Sequence, residues 1–426
     1  MPLHNPLWEI LEPYLVNLGL YKVTDPTYGR WALPPYPRHS ILLDNPAITH
    51  TFRRVFLPPY SSFHTKAEAY DSTAITFAED VTLTPDELAT GVARGGRWIF
   101  YSTWELKEEP ENGWEGGGRG RGRDLLLVHG LSDYGLRYAP HVEYFLRAGF
   151  RVILPDLPSY GRSTGINSYI PSLLLLPAAV HAVLSDVVSS DLAKGREQRK
   201  VFLSGASMGG WTVLYYCLKY PPTSSALDIV ATAEDHDDSP PPGGQGKGYR
   251  NAERPRDAEK VRPSIAGAYV MCPMVEAAKN SRPSAVIEYI AKAIVYFAGS
   301  LPLAKAVRGN VSDDPRVEEE FFEDPLCYHG YLRVGTGLSL LDGMLELQRR
   351  AEEIDIPIRL VHGSADRATS HVGTLKLFDR LPNEDKEVEV FEGYEHVMLK
   401  VGRDEQDDQK RQRVLEDWRN WLLKRC

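Results

Sequence analysis

Short apolar runs separated by helical patterns dominate the middle and end of this chain. LLLVHG (125–130), RVILPD (151–156), VFLSG (201–205), AGAYVMCP (266–273), PIRLVHGSAD (357–366) and EVEVFEG (387–393) each read as a strand, as does RWIFYSTWEL (97–106) before them. Helical stretches lie between: one around HVEYFLRAG, one over roughly 177–193, one from Gly210 to Tyr220 stopped by Pro221-Pro222, and a last one ending DWRNWLLKR. Apolar strands of this length alternating with helices predict an α/β protein with a mostly parallel central sheet covered on both faces.

Four stretches break the alternation. Residues 1–83 are rich in Pro and aromatics and predict an irregular extension packing on the body, with a capped helix start at 82–88. Residues 107–123 break the pattern, and the run GWEGGGRGRGRD (113–124) invites a phosphate-cradling loop or an arginine-glycine tract; no Gly-Lys-Ser/Thr follows and no strand leads directly in, so a flexible hairpin or linker is the expectation. Residues 222–263 are polar, Pro/Gly-rich and poor in apolar side chains, as expected of a disordered surface insertion. Residues 274–354 show helical and loop patterns without a clear strand, an inserted helical region. The expected organisation is therefore 1–83 extension, 84–273 first part of the core, 274–354 helical insertion and 355–426 second part of the core.

Composition narrows the class. The chain has 426 residues, 42% of them hydrophobic and 25% charged, enough for a sizeable core. Its net charge is −9, which argues against general nucleic-acid binding. The four cysteines, Cys217, Cys272, Cys327 and Cys426, are too far apart for a disulfide framework or a zinc knuckle. No metal or cofactor is signalled. The N-terminal residues lack a basic segment followed by an apolar one, so a reducing, cytoplasmic setting is the expectation.

The chemistry centres on Gly205-Ala206-Ser207-Met208-Gly209. A lone G-x-S-x-G is a weak signal, but here an apolar strand leads in and an apolar helix leads out. That is the context in which a strained turn lifts a serine hydroxyl clear of the sheet. The bland reading is a tight turn with a buried serine. A serine nucleophile needs a general base, and the base an orienting acid. Downstream, Asp366 follows the strand IRLVHG and His396 follows EVEVFEG, both at strand C-terminal ends. Either alone reads as a turn former or a structural histidine; the three in this order point to a triad. The oxyanion that forms needs donors, expected from the backbone N–H groups of Met208 and Leu131. The His129 side chain is expected only to pack in its turn.

LLLVHGLSDYGLRYAP, DLPSYGRSTG, LSGASMGGWTVLYY, VSDDPRVEE with YHGYLRVGTGLSLLDG, PIRLVHGSADRATS and VFEGYEHVML together resemble the monoglyceride-lipase-like α/β-hydrolases in order and spacing. The resemblance implies an α/β-hydrolase fold, a helical cap over 274–354 and an esterase acting on single-chain acyl glycerols. It implies Ser207, Asp366 and His396 as the triad, and Leu131 and Met208 as oxyanion donors. The loop Leu131-Ser132-Asp133-Tyr134 departs from the Glu-His that relatives often carry, which bears on pocket polarity. A lysophospholipase, another carboxylesterase, an amidase or a non-catalytic scaffold are the alternatives. Two apolar stretches remain open: IPSLLLLPAAVHAVL (170–184), expected in the core, and 285–307, whose stripe Ile287, Ile290, Ile294, Phe297 and Leu301 fits either a helix packed on the body or one docking on a membrane or lipid-droplet surface.

Overall fold

The computed structural model describes residues 25–57, 77–83, 97–220, 263–278, 284–305, 311–400 and 404–426, with scattered positions between 11 and 23. Its strands are β1 (Ile48–Leu57), β2 (Phe77–Val81), β3 (Arg97–Leu106), β4 (Arg123–Val128), β5 (Arg151–Pro155), β6 (Lys200–Ala206), β7 (Ser264–Met271), β8 (Pro302–Lys305), β9 (Tyr331–Arg333), β10 (Ile358–Gly363) and β11 (Lys386–Phe391). All but β8 and β9 form one nine-stranded sheet in the order β11-β10-β7-β6-β4-β5-β3-β1-β2. The first six of these pair in parallel, and the last three are joined antiparallel. The mostly parallel α/β sheet expected from the apolar runs is thus present.

The helices are α1 (Ala139–Leu146), α2 (Leu175–Ala193), α3 (Met208–Lys219), α4 (Ala285–Ala298), α5 (Pro315–Glu323), α6 (Val334–Arg349), α7 (His371–Arg380) and α8 (Glu405–Lys424), besides a short turn of helix at Ser40–Leu43. Leu176, Val183, Trp211 and Leu214, from α2 and α3, bury against one face of the sheet. Val142 and Phe145 of α1 bury with Trp418 and Trp421 of α8 against the other. This two-sided burial explains why β4 and β5, after their charged first residues, run apolar instead of alternating. Helix α2 is long and apolar enough to cross a membrane, yet it is mostly buried inside the body. The core reading of 170–184 therefore holds.

The N-terminal region differs from the irregular extension expected. It supplies two strands of the sheet itself, β1 pairing with β3 along ten positions from Ile48–Leu106 to Leu57–Arg97. The strand was hidden by ITHTFRRVFL, where charged and hydroxyl side chains interrupt the apolar pattern. Arg54 is nevertheless buried, its guanidinium lying 5.0 Å from the Trp31 and Trp98 rings. Just ahead of it, Arg30 anchors the chain by donating to the carbonyls of Gly161, Ser163 and Gly165 at 2.7–2.9 Å.

The glycine-rich run after β3 is an ordered connection and not a β-hairpin, because β3 and β4 are separated by β5. Gly116 at φ 60° passes so close to α8 that a methyl group there would meet Leu423 Cδ1 at 2.3 Å. The helical reading at 82–88 and the insertion at 222–263 lie, almost entirely, outside the described residues.

The region 274–354 contains α4, α5 and α6 and, beyond the helices expected, the antiparallel ribbon β8–β9. Helix α6 fastens it to the body: Trp211 Nε1 donates to Gly343 O at 2.8 Å, and Thr336 Oγ1 accepts from Ile170 N at 2.8 Å. Gly343 is required there, since a methyl group would stand 2.3 Å from Leu173 Cδ1.

Candidate active site

The chain runs from β4 to β5 on one side of β4, then returns to place β6 on the other. Where strand order reverses, the loops at the C-terminal ends diverge and leave a crevice. The loops after β4, β6, β7, β10 and β11 all open there.

Ser207 sits between β6 and α3 at φ 56° and ψ −119°. A non-glycine residue in that region costs about 1–3 kcal/mol, and it persists because its surroundings over-determine it. Its N–H donates to Met271 O at 3.1 Å, and its carbonyl accepts from Met274 N at 3.0 Å and Trp211 N at 3.0 Å. The flanking glycines are demanded by proximity. A methyl group on Gly205 would lie 2.5 Å from Gly209 O, and one on Gly209 would lie 2.1 Å from Val128 O. The close passage of strand and helix backbones expected from G-x-S-x-G is present.

Asp366 and His396 meet. His396 Nδ1 lies 2.6 Å from Asp366 Oδ2, so Nδ1 carries the proton that this bond requires and Nε2 is left as the basic nitrogen. The Asp366 side chain is buried. Its Oδ1 accepts from Ala368 N at 2.7 Å and Thr369 N at 2.9 Å, and its Oδ2 from Thr369 Oγ1 at 2.9 Å. Burial alone would raise its pKa; hydrogen bonds from His362 and His396 outweigh that and hold it well below the usual carboxylate range. Ser207 and His396 line the same cavity, of about 740 Å³.

The oxyanion candidates fall at this crevice. Met208 is the first residue of α3, where an amide has no partner within the helix and the helix dipole favours negative charge. Leu131 lines the cavity beside Gly130, at which a methyl group would approach Ser207 Cβ at 3.6 Å. His129 is a structural residue: its Nδ1 bonds Gly130 O at 2.8 Å while Nε2 accepts from Leu157 N at 2.9 Å. It thereby pins the loop, and burial lowers its pKa to about 4, keeping it neutral.

Sequence reasoning assigned no role to His362 or Thr369. Both touch Asp366, His362 Nε2 at 3.0 Å from Oδ2, and the available signal was their spacing of four and three residues from Asp366 in HGSADRAT. Cys272, Asp366 and His396 also bring potential metal-ligand atoms within 4.8 Å of one another. The chemistry is that of a hydrogen-bonded pair instead: His396 Nδ1 is spent on the carboxylate, and burial raises the Cys272 thiol pKa, keeping it protonated.

Most of the cavity wall is apolar, from Met274 and Ile287 to Leu341 and Met344. Its cations are engaged. Arg38 pairs with Glu320, Arg137 lies 3.7 Å from both Asp133 and Asp324, and Lys400 lies 3.3 Å from Glu395. Arg333 donates to Asn167 O and Ser300 O at 2.7 and 2.6 Å.

The strand order, the strained serine turn after β6 and the Asp–His pair after β10 and β11 define an α/β-hydrolase. The chain belongs to the serine aminopeptidase S33 family of hydrolases, which matches residues 122–245 and 257–401. Within that family it is monoglyceride-lipase-like. The monoacylglycerol lipase of Mycolicibacterium smegmatis is 23% identical over 329 residues, 77% of this chain and 94% of that one. The caffeoylshikimate esterase of Arabidopsis thaliana is 25% identical over 303 residues, 70% of this chain and 76% of that one. A solved structure of a soluble variant of Saccharomyces cerevisiae monoglyceride lipase, bound to a substrate analog, aligns with a TM-score of 0.57 at 16% identity, covering 78% of this chain and 92% of that chain. At such identity the structural likeness is one of fold.

Proposed function

We propose that the protein is a serine esterase that hydrolyses monoacylglycerols to fatty acid and glycerol through an acyl-enzyme. Ser207 Oγ attacks the ester carbonyl as His396 Nε2 takes its proton. The tetrahedral oxyanion is held by the N–H groups of Leu131 and Met208. His396 then gives the proton to the departing glycerol oxygen. Water, deprotonated by His396, attacks the acyl-enzyme, and His396 returns that proton to Ser207 Oγ as the acid is freed. Asp366 holds the imidazole in the Nδ1–H tautomer and stabilises the imidazolium. The observation that carries this reading is the Asp366–His396 bond of 2.6 Å beside a strained serine, both opening on a largely apolar cavity of about 740 Å³. That volume lies within the range of small-molecule sites, and its walls suit an alkyl chain.

A lysophospholipid is the second reading. It needs a cation for the phosphate, and Arg38, Arg137 and Lys400 at the cavity already face carboxylates. An uncharged head group fits better. The lipid contact belongs to α4, where Val286, Ile287, Tyr289 and Ile290 are exposed, and Ile287 and Ile290 also line the cavity. The helix rests peripherally on a membrane or lipid-droplet surface facing the cytoplasm, and a monoacyl substrate slides in without crossing water. Lys292 is paired with Glu288 at 2.7 Å, so the contact is chiefly apolar. A substrate panel tests the assignment: monoacylglycerols of several lengths, a triacylglycerol, a lysophospholipid, a caffeoyl ester and an aminoacyl arylamide. Highest kcat/KM on a monoacylglycerol supports it; highest on the lysophospholipid, the caffeoyl ester or the amide replaces it.

A further inference from the structure

Two histidines share one carboxylate oxygen. Besides His396, Asp366 Oδ2 is met by His362 Nε2 at 3.0 Å, and the far nitrogen of His362 meets Thr374 Oγ1 at 2.8 Å. His362 is the fifth residue of β10, completely buried, and Thr374 faces it from α7. A carboxylate offers only acceptors, so Nε2 of His362 must carry the proton. Nδ1 is then an acceptor and the Thr374 hydroxyl donates to it. The chain of donors runs Thr374 to His362 to Asp366, and His396 approaches the same oxygen from the cavity side.

We propose that His362 is a positioning residue for the hydrolytic centre, acting through Asp366: its neutral Nε2–H fixes the carboxylate and draws charge from the oxygen that faces His396. The proposal rests on the serine-esterase reading. Burial lowers the pKa of His362, so it donates as a neutral ring. The groups around it are consistent with that state. His371, at the start of α7, has its ring centroid 6.3 Å away, and Thr369 Oγ1 lies 3.3 Å from Nε2. The protonated Cys272 thiol approaches Asp366 from the end of β7. Five donors then converge on Asp366: two amides on Oδ1, and Thr369, His362 and His396 on Oδ2. Every bond from a group other than His396 spreads the negative charge away from the imidazole. The strength with which Asp366 stabilises the imidazolium is set in part by His362.

The sign follows. Removing the His362 donor concentrates charge on Oδ2, favours protonated His396, and moves the acid limb of kcat/KM to higher pH. His362→Leu is expected to shift that limb upward by about 0.5–1 pH unit and to lower kcat at neutral pH about tenfold. His362→Gln, whose amide N–H reaches toward the Nε2 position, is expected to restore most of both. Should the leucine variant fail to fold, Thr374→Val removes the donor that fixes the tautomer at nearly constant volume. It is expected to produce a smaller shift in the same direction. An acid limb that stays in place or moves down in the folded variants, with only the melting temperature lowered, overturns the proposal. Labelling by a fluorophosphonate separates this from the parent reading: variants that label at Ser207 with an unshifted pH limb refute His362 alone, whereas an active Ser207→Ala refutes the triad.

Discussion

The floor and the roof of the cavity are built differently. The floor is made of loops whose polar groups are tied down: Asp366 accepts five hydrogen bonds, His129 uses both ring nitrogens, and Ser207 uses both its backbone groups. In the roof, α4 leaves Val286 and Tyr289 68% and 78% exposed. The floor must hold reacting atoms in fixed geometry, and strain there is tolerated because the surroundings enforce it. Under the proposed function the roof would admit a chain-like substrate, and the few exposed apolar side chains at its rim would meet a lipid surface. Where the two meet, the joint is again polar. Ser312 Oγ donates to Glu395 Oε2 at 2.6 Å, linking the region 274–354 to the residue before His396. Tyr134 donates to Asp324 at 2.5 Å, linking the loop after β4 to the end of α5.

Breaking the floor should have the largest effects. Ser207→Ala is expected to lower kcat by on the order of a million-fold, leaving the small rate supplied by binding and the oxyanion donors. His396→Ala should be comparable. Asp366→Asn should cost less, about ten-thousand-fold, because the acid orients and stabilises the base without itself moving a proton. Steady-state kinetics on a monoacylglycerol checks all three, and an asparagine variant slower than the alanine one contradicts the assignment of roles.

Gly209→Ala attacks the floor through its backbone. The added methyl would stand 2.1 Å from Val128 O and 2.6 Å from His129 O, so strand and helix must part. Overpacking of this kind costs roughly 1–3 kcal/mol or more. A lowered melting temperature together with lost activity is expected; a melting temperature equal to wild type would show that the elbow is looser than described.

Legibility divided along the same line as construction. The strands that carry the floor are apolar because both their faces are buried, so β4, β5, β6, β7 and β10 could be read from composition alone. Ser207 and Asp366 follow such strands, β6 and β10; His396 follows β11, whose KEVEVF alternates charged and apolar residues, and the order of the three gave the grouping. β1 could not be read that way. Its Arg53 is met by Asp186 at 2.9 Å and its Arg54 lies among aromatic rings, contacts made by residues distant in sequence. β8 and β9 are four and three residues long, and each finds its strand partner far away in the sequence. The role of His362 was invisible because a histidine inside an apolar strand reads as core; only the approach of α7 and the loop after β10 supplies its partners. The stripe Ile287, Ile290, Ile294, Phe297 and Leu301, on α4 and just past its end, was legible, but which way it faced was not. Ile287 and Ile290 turn out exposed at the cavity rim, Ile294 and Leu301 are half-buried, and the side chain of Phe297 lies outside the described residues.

Acid should unsettle the floor and the loops around it before it touches the roof. Burial holds His129 at about 4, and His39 and His141 at about 3. These values are depressed relative to the unfolded chain, so the stability they confer is complete above about pH 6.5. It is lost as pH falls toward 3–4, because the unfolded state takes up protons that the folded state refuses. At pH 5 the loss from His129 alone is about 2 kcal/mol. Melting temperature should therefore fall between pH 7 and pH 5, and a flat profile would contradict the burial of these rings.

The smallest effect belongs to the roof. Replacing Ile287 and Ile290 together by Ser should slow hydrolysis of vesicle-borne monoacylglycerol several-fold and weaken co-sedimentation with liposomes, with only slight salt dependence. Turnover of a soluble short-chain ester and the melting temperature should change little. A large drop in melting temperature, with both substrates affected alike, would place these side chains in the packing of the body.

The most direct test of the account is where a fluorophosphonate lands. The wild-type protein, labelled, digested and mapped by mass spectrometry, is predicted to carry one adduct on Ser207, with none on Ser207→Ala and with labelling slowed in step with the His396 and Asp366 variants. No adduct, or an adduct on another residue that persists in Ser207→Ala, would contradict it.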